Sequence, residues 1–440
     1  MKQNVLGLNL PKKKTLQWIT LPALLIASGS IYSAENMDID VLKLQQEVKE
    51  LSAKLEQMQA QIKTQNEQDV MSSTIHTSIQ QNEKDSQIQL QTKSSKQADL
   101  SDTKIQLYGF IRADASYQFE GGNAIFNRLN KVDLEGNQTH KDQFYTSVTT
   151  SRIGLDAKTK IADQEVSGKL EFDFRGGSNS DTARVRHAYV TYNNWLIGQT
   201  TSSFLANEII PEILDFGSPT GVGTTRTPML RYSNTLNPNT QYFVGLEQGR
   251  SENRFPTLTA KAKYDFNQKK GALFVRGLAQ ELRSRELNDE TEFSWGAAVG
   301  ASYKATKRLT LKGDYSHVKG DDKFMLFTNG AYNSSSTNDL NLNEFDAFSL
   351  GLTYQFNPVL RGTLGYGAMF ANDNSAFAEQ VLIEDDLSQN KQLQQGWINL
   401  MYSPMTPVTF GFEYIYGERE TFSGKKGKDS RLSTMVRYTF

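Results

Sequence analysis

Residues 104–119 read Lys-Ile-Gln-Leu-Tyr-Gly-Phe-Ile-Arg-Ala-Asp-Ala-Ser-Tyr-Gln-Phe. Ile105, Leu107, Ile111, Ala113, Ala115, Tyr117 and Phe119 fall on one parity, while Gln106, Arg112, Asp114, Ser116 and Gln118 fall on the other. A period of two is the signature of a β-strand with one apolar and one polar face. The same alternation returns at Val166–Phe174, where Val166, Leu170, Phe172 and Phe174 oppose Lys169, Glu171 and Asp173. It returns again at Phe293–Tyr303 and Val408–Tyr416, and at the end of the chain, where Leu432, Thr434, Val436, Tyr438 and Phe440 alternate with Arg431, Ser433, Arg437 and Thr439.

A soluble sandwich also alternates, so the connections decide between the two. Short turns at 267–270, 305–307, 357–359 and 403–407 alternate with long polar loops at 120–142, 204–227, 319–344 and 372–390. Short turns at one rim and long loops at the other are the pattern of a transmembrane barrel. Tyr264, Phe266, Tyr303, Tyr354, Phe356 and Tyr402 cluster beside the short turns, as an interfacial girdle requires. The fold class expected over 103–440 is therefore all-β: an antiparallel transmembrane barrel of about sixteen strands, running from 104–119 and 143–159 through to 408–418 and 430–440. Lipid offers no partner to an open sheet edge, so the sheet must close.

The residues before the barrel divide into three parts. Lys2, Lys12, Lys13 and Lys14 precede the apolar run Leu16–Ile26, and small residues follow up to Ala34. That order reads as a secretory signal over 1–34, although Tyr32 leaves the cleaved bond open. From residue 41, Val41, Leu44, Val48, Leu51, Leu55, Met58 and Ile62 recur at alternating steps of three and four. This is a heptad seam, expected to form an α-helical coiled coil over 35–65 that holds copies together. An amphipathic helix lying on its own domain is the alternative. The a and d residues lean toward two copies without settling the number. Residues 66–102, rich in Gln, Ser, Lys and Thr, read as a polar connector.

Composition closes other routes. The apolar run at 16–26 is far short of the ~20 residues a membrane helix needs. The absence of cysteine removes disulfides, Cys-based zinc sites and cysteine nucleophiles. The formal net charge of −1 becomes −5 once the four lysines of the leader are gone, and gives no electrostatic footprint for nucleic acid.

Three stretches resemble the DcaP-like family of outer-membrane porins: Leu107-Tyr108-Gly109-Phe110-Ile111-Arg112-Ala113-Asp114, then Val185-Arg186-His187-Ala188-Tyr189-Val190 with Trp195-Leu196-Ile197-Gly198-Gln199-Thr200, and the terminal Arg437-Tyr438-Thr439-Phe440. The last is similar to the insertion signal of Gram-negative barrels, with Tyr438 and Phe440 its key residues. The order of leader, heptads and barrel matches the family along the whole chain. The resemblance implies a homotrimeric sixteen-stranded diffusion porin in the outer membrane, with a periplasmic coil, admitting small anions such as dicarboxylates.

A barrel of about this size encloses water, and charged side chains at its narrowest point set selectivity. The loop 205–227 is expected to fold inward, carrying Glu208, Glu212 and Asp215 ahead of Gly217, Gly221 and Gly223. Opposite it, the cations expected at the constriction are Arg112, Arg152, Lys169, Arg184, Arg186, Arg231 and Arg276. Loop acids facing wall arginines would form a transverse field, although 37 basic and 37 acidic residues from 103 onward leave the barrel neutral as a whole. An enzyme is the first rival reading. It lacks a nucleophile with its base: His76 and His140 lie outside strands, and His187 and His317 share the outward parity of Val185 and Tyr315. An adhesin or structural anchor is the second rival and could use the same fold. No cofactor or metal is expected, since Asp321-Asp322 and Glu384-Asp385-Asp386 read as solvated loop acids.

Overall fold

The structure, a computed structural model, describes residues 103–440 apart from 127, 162–163, 179, 218 and 335–338. The leader, the heptad seam and the connector expected over 1–102 lie outside the described residues.

The alternating stretches form one closed antiparallel sheet. Its strands are β1 (Lys104–Glu120), β2 (Gln143–Ser147), β3 (Arg152–Ile161), β4 (Gln164–Gly176), β5 (Thr182–Tyr192), β6 (Trp195–Thr201), β7 (Arg226–Asn237), β8 (Thr240–Glu247), β9 (Thr257–Phe266), β10 (Gly271–Ser284), β11 (Glu290–Lys304), β12 (Leu309–Lys319), β15 (Glu344–Asn357), β16 (Leu360–Ala371), β17 (Asn390–Met405), β18 (Val408–Thr421) and β19 (Lys426–Thr439). β13 (Tyr332–Ser334) and β14 (Leu340–Leu342) make a separate small hairpin within a loop. β2 and β3 both pair with β1, one above the other, so the seventeen strands of the sheet occupy sixteen positions in the wall. β1 also pairs with β19, which closes the sheet. Two further bonds, Gly109 N to Phe440 O and Phe440 N to Gly109 O, both 3.0 Å, extend that seam to the last residue.

The apolar parity faces out, the inversion that a lipid solvent imposes. Ile105 and Ile111 are 67% and 62% exposed, whereas Arg112 and Gln118 on the same strand are 6% and 1% exposed. Aromatic rings gather beside the short turns, with Phe266 stacked on Tyr303 at 5.9 Å and Tyr354 edge-on to Phe356 at 5.2 Å.

Parity fails as a guide in β5. Between Glu171 and Phe172 of β4 the register with β5 shifts, and Arg186 is the extra residue. A bulge of this kind turns the residues beyond it to the other face. Val185 stays outside, but Arg186 and His187 both point inward, and His187 Nδ1 shares a 2.9 Å hydrogen bond with the buried Thr200 hydroxyl. The outward placement expected for His187 is thereby corrected. His317 does lie on the outer face, its ring 5.2 Å from that of Trp295.

Inside the wall lies a second, smaller core. Leu129 and Val132 of the β1–β2 loop, Phe204 and Leu205 of the β6–β7 loop, and Phe324, Met325 and Phe327 of the β12–β15 loop pack together. Leu278, Ala298, Val318, Phe345, Met369 and Leu393 of the wall meet them. Three loops folded onto β10–β17 fill that side of the lumen and displace the open space toward β1–β7. Asp321, expected as a solvated acid, is 1% exposed, and its carboxylate accepts the backbone N–H groups of Lys323, Phe324 and Met325 at 2.9–3.1 Å. The β16–β17 loop contains α1 (Ala376–Glu384), capped by Ser375, whose hydroxyl accepts the Ala378 N–H.

Phe204 is fully buried in this inner core. Truncating a buried phenylalanine costs about 3–5 kcal/mol. We expect Phe204→Ala to lower the unfolding free energy in detergent by about that amount, measured by equilibrium denaturation. An unchanged midpoint would mean that the loop core adds nothing to the wall.

Candidate functional site: a cation-lined neck

The β6–β7 loop (202–225) leaves the wall early, because β6 has only seven residues, and then runs along the inner surface. Wall cations hold its carbonyl groups. Arg276 donates to Phe204 O (3.2 Å), Lys261 to Leu205 O (3.4 Å), Lys312 to Ile210 O (2.9 Å) and Arg112 to Leu214 O (2.6 Å). Trp397 Nε1 and Asn399 Nδ2 both donate to Glu212 O at 3.0 Å. The Glu413 carboxylate accepts the N–H groups of Leu214 (2.7 Å) and Asp215 (2.8 Å). Beyond Thr220, whose N–H reaches Gln395 Oε1 at 3.0 Å, Gly221 has φ +83° and passes against the Phe348 carbonyl, where a Cβ has no room.

The loop's acids are consumed in the same attachment. Glu212 forms a fork with Arg361 (2.7 and 2.8 Å), and Asp215 pairs with Arg431, both side chains being almost wholly buried. Glu208 is the exposed one, 3.9 Å from Lys261. Glu212 and Asp215 therefore each pair with an arginine of the wall behind the loop, and Asp215 also borders the cavity in front of it.

Between the loop and the wall of β1–β7 is a cavity of about 530 Å³. Among the described residues its lining carries nine basic side chains (Arg112, Arg128, Lys131, Arg152, Arg175, Arg184, Arg186, Arg226 and Lys323) against two acidic ones, Asp215 and Asp322. Wall carboxylates fix several of these cations from behind. Asp173 takes both ends of Arg184 (2.9 and 2.6 Å) and one nitrogen of Arg186 (2.8 Å). Glu171 takes Arg186 Nε at 2.8 Å and lies 3.4 Å from Arg152. Asp114 takes Arg112 Nε at 2.8 Å. Phe216, on the loop, stands at the centre: the guanidinium carbons of Arg112, Arg152, Arg175 and Arg186 lie 5.6–5.9 Å from its ring centroid, within the range of cation–π attraction. Burial lowers the affinity of Lys323 for its proton, and the neighbouring Asp321 carboxylate opposes the shift.

Of the residues singled out from sequence, Arg112, Arg152, Arg184, Arg186 and Asp215 line this cavity. The other four lie elsewhere. Lys169 pairs with Asp156 at 2.7 Å and donates to the Tyr108 hydroxyl at 2.9 Å. Arg231 reaches Thr201 O at 3.4 Å. Arg276 is paired with Asp314 beneath the loop, and Glu208 sits on the loop's far side. Sequence reasoning missed Arg175 and Arg226, at the top of β4 and the start of β7, and Arg128, Lys131 and Lys323, which come from loops. Among the described residues, no group of three metal-ligating side chains forms.

A closed sixteen-position barrel, oily outside, with an infolded long loop narrowing a charged lumen, defines the porin class of outer-membrane channels. The chain belongs to the family described as DcaP outer membrane protein, whose family model matches residues 37–440. It is 39% identical to the outer membrane channel DcaP of Acinetobacter baumannii, whose crystal structure superposes with a TM-score of 0.73 over 77% of this chain and 97% of that one. An anion-selective porin from Comamonas acidovorans (11% identity, TM-score 0.51, 77% of this chain and all of that one) shares the fold. So does OmpT of Vibrio cholerae (14% identity, TM-score 0.51, 77% of this chain and 98% of that one). No curated protein matches the chain. It is a channel of the bacterial outer membrane and not an enzyme.

Arg431 is the clamp whose removal is most informative. Without it the Asp215 carboxylate stays buried and unpaired, which costs about 3–5 kcal/mol. We expect Arg431→Met to release the middle of the β6–β7 loop, read as protease cleavage within 205–225 of an otherwise intact barrel. A loop as resistant as the parent's would assign its anchoring to Glu413 and Glu212 instead.

Proposed function

We propose that this channel is a passive diffusion porin for small hydrophilic solutes with a preference for anions, dicarboxylates among them. The observation that carries this reading is the lining of the neck, nine cations against two acids, within a barrel sequence that is neutral as a whole. Arg112, Arg152, Arg184, Arg186 and Asp215 belong to that constriction, and Arg175 and Arg226 join them. A guanidinium presents two donors in a fixed fork matched to a carboxylate, and several in one neck can engage both ends of a short diacid. The remaining sequence candidates act differently: Arg276 secures the loop, while Lys169 and Arg231 lie on the wall below it.

The resemblance supports a homotrimer, and the heptads Val41, Leu44, Val48, Leu51, Leu55, Met58 and Ile62 support a periplasmic coil that joins its copies without setting their number. Tyr438 and Phe440 are the proposed insertion signal, placed where the last strand meets β1.

Reversal potentials in a planar bilayer under a salt gradient test the selectivity. The parent channel should show stepwise conductance and a potential of the anion-favouring sign. Arg175 and Arg226 have no carboxylate partner within salt-bridge reach among the described residues, so replacing them disturbs the wall least. Two charges about 4 Å from a passing ion in a water-filled neck are each worth about 1 kcal/mol. The Arg175→Gln, Arg226→Gln double variant should lower the anion-to-cation permeability ratio by about fivefold or more. The Arg184, Arg186 double replacement should lower it too, with some loss of stability. An unchanged ratio would make these arginines structural, and a silent barrel would favour the anchor.

A further inference from the structure

The neck braces its guanidinium groups in two different ways. Arg112, Arg184 and Arg186 each meet a carboxylate at 2.5–2.8 Å. Arg175 does not. It is the next inward residue after Asp173 on β4, about 7 Å further toward the loops at about 3.3 Å per residue. Asp173 is already occupied by Arg184 and Arg186, and Asp215 by Arg431, so both act on Arg175 only at longer range. The groups that hold Arg175 are aromatic. Its guanidinium carbon lies 4.7 Å from the centre of the Phe126 ring and 5.6 Å from that of Phe216.

The two rings come from different loops, and one buried side chain ties both in place. Phe126 belongs to the β1–β2 loop and Phe216 to the β6–β7 loop, with ring centres 6.1 Å apart and planes inclined at 49°. Arg431 of β19, almost wholly buried, donates through Nη1 to Ile125 O at 2.9 Å and pairs through Nη2 with Asp215. Ile125 and Asp215 are the residues immediately before the two rings. Glu413 accepts the Asp215 N–H at 2.8 Å, and the Asp215 carboxylate accepts the Gly217 N–H at 2.7 Å. Phe126 is itself buried and Phe216 half-buried. The rings therefore stand on fixed backbone.

The two kinds of brace differ in what they leave for a passing ion. A carboxylate holds a guanidinium by opposing its charge. A ring holds it with the negative face of a quadrupole, which has no net charge and a field that fades faster with distance. An arginine between two rings gives up the freedom of its long side chain and keeps a whole unit of charge in the passage.

We propose that Phe126 and Phe216, set side by side through Arg431, are positioning residues that cradle Arg175 as an uncancelled cation, and that this arginine sets much of the anion preference of the neck. The inference rests on the anion-preferring reading above and adds the residues that produce the preference without carrying charge. A solute arriving from the loop side meets Arg175 before it reaches the carboxylate-braced pair Arg184 and Arg186.

The test uses the full-length protein in planar bilayers, with reversal potentials under a salt gradient, and heat-modifiable mobility to show that each barrel has folded. The parent should favour anions. Phe126→Leu removes a ring that, among the described residues, meets Arg175 and no other arginine. It should lower the anion-to-cation permeability ratio by about twofold or more, although no charge is altered. Phe126→Tyr keeps the ring face and should keep the ratio. In an Arg175→Gln background Phe126→Leu should change nothing further, since a ring that acts through the arginine then has nothing to hold. Phe126→Met replaces the leucine variant if that one does not fold. An unaltered ratio in Phe126→Leu, in an anion-selective parent, would overturn the cradle and leave the porin standing. An equal fall with and without Arg175, or an equal fall with tyrosine, would overturn it too, because either assigns the effect to loop packing. A parent without anion preference would remove the reading above, and this inference with it.

Discussion

A peptide backbone surrounded by hydrocarbon can send its hydrogen bonds only to itself. That constraint accounts for the antiparallel wall, the pairing of the last strand with the first, and the outward turn of every alternate side chain. It also accounts for the interior. Once the oily parity is committed to lipid, the inner parity is free to carry charge, and arginine, aspartate and glutamate occur there at a density that the core of a water-soluble protein of this size could not satisfy.

The interior charges solve two problems at once. On the side of β10–β18, cations and Glu413 hold the β6–β7 loop by its backbone, so that irregular chain finds hydrogen-bond partners deep within the barrel. On the side of β1–β7 the cations are held by carboxylates behind them and meet the lumen. Arg276 and Arg186 look alike in sequence, each an inward arginine on a strand. Only the path of the loop distinguishes them, since it covers one and leaves the other facing open space.

This division explains what was legible beforehand. Strand positions, closure and outward polarity followed from a period of two and from loop lengths, because each is a local consequence of the solvent. The inward turn of His187 did not, because one extra residue at Arg186 reverses parity and leaves no mark in composition. Arg128, Lys131, Arg175, Arg226 and Lys323 escaped for a related reason. They stand in loops or at strand ends, where alternation assigns no face, and only the tertiary course of three loops brings them to one neck. Glu212 and Asp215 could be placed on their segment, but their pairing was not legible, since the sequence cannot say that Arg361 and Arg431 lie behind the loop.

Asp173 and Glu171, which brace Arg184, Arg186 and Arg152 from the wall side, have a kinetic consequence. Each guanidinium already has an anionic companion, so a travelling carboxylate shares the cation and never neutralises it alone. Its grip is weakened at every contact, while the braced arginines give up little freedom in meeting it. A conduit must let go as readily as it takes hold, and permanent resident counter-ions are one way to keep dwell times short in a passage so crowded with positive charge.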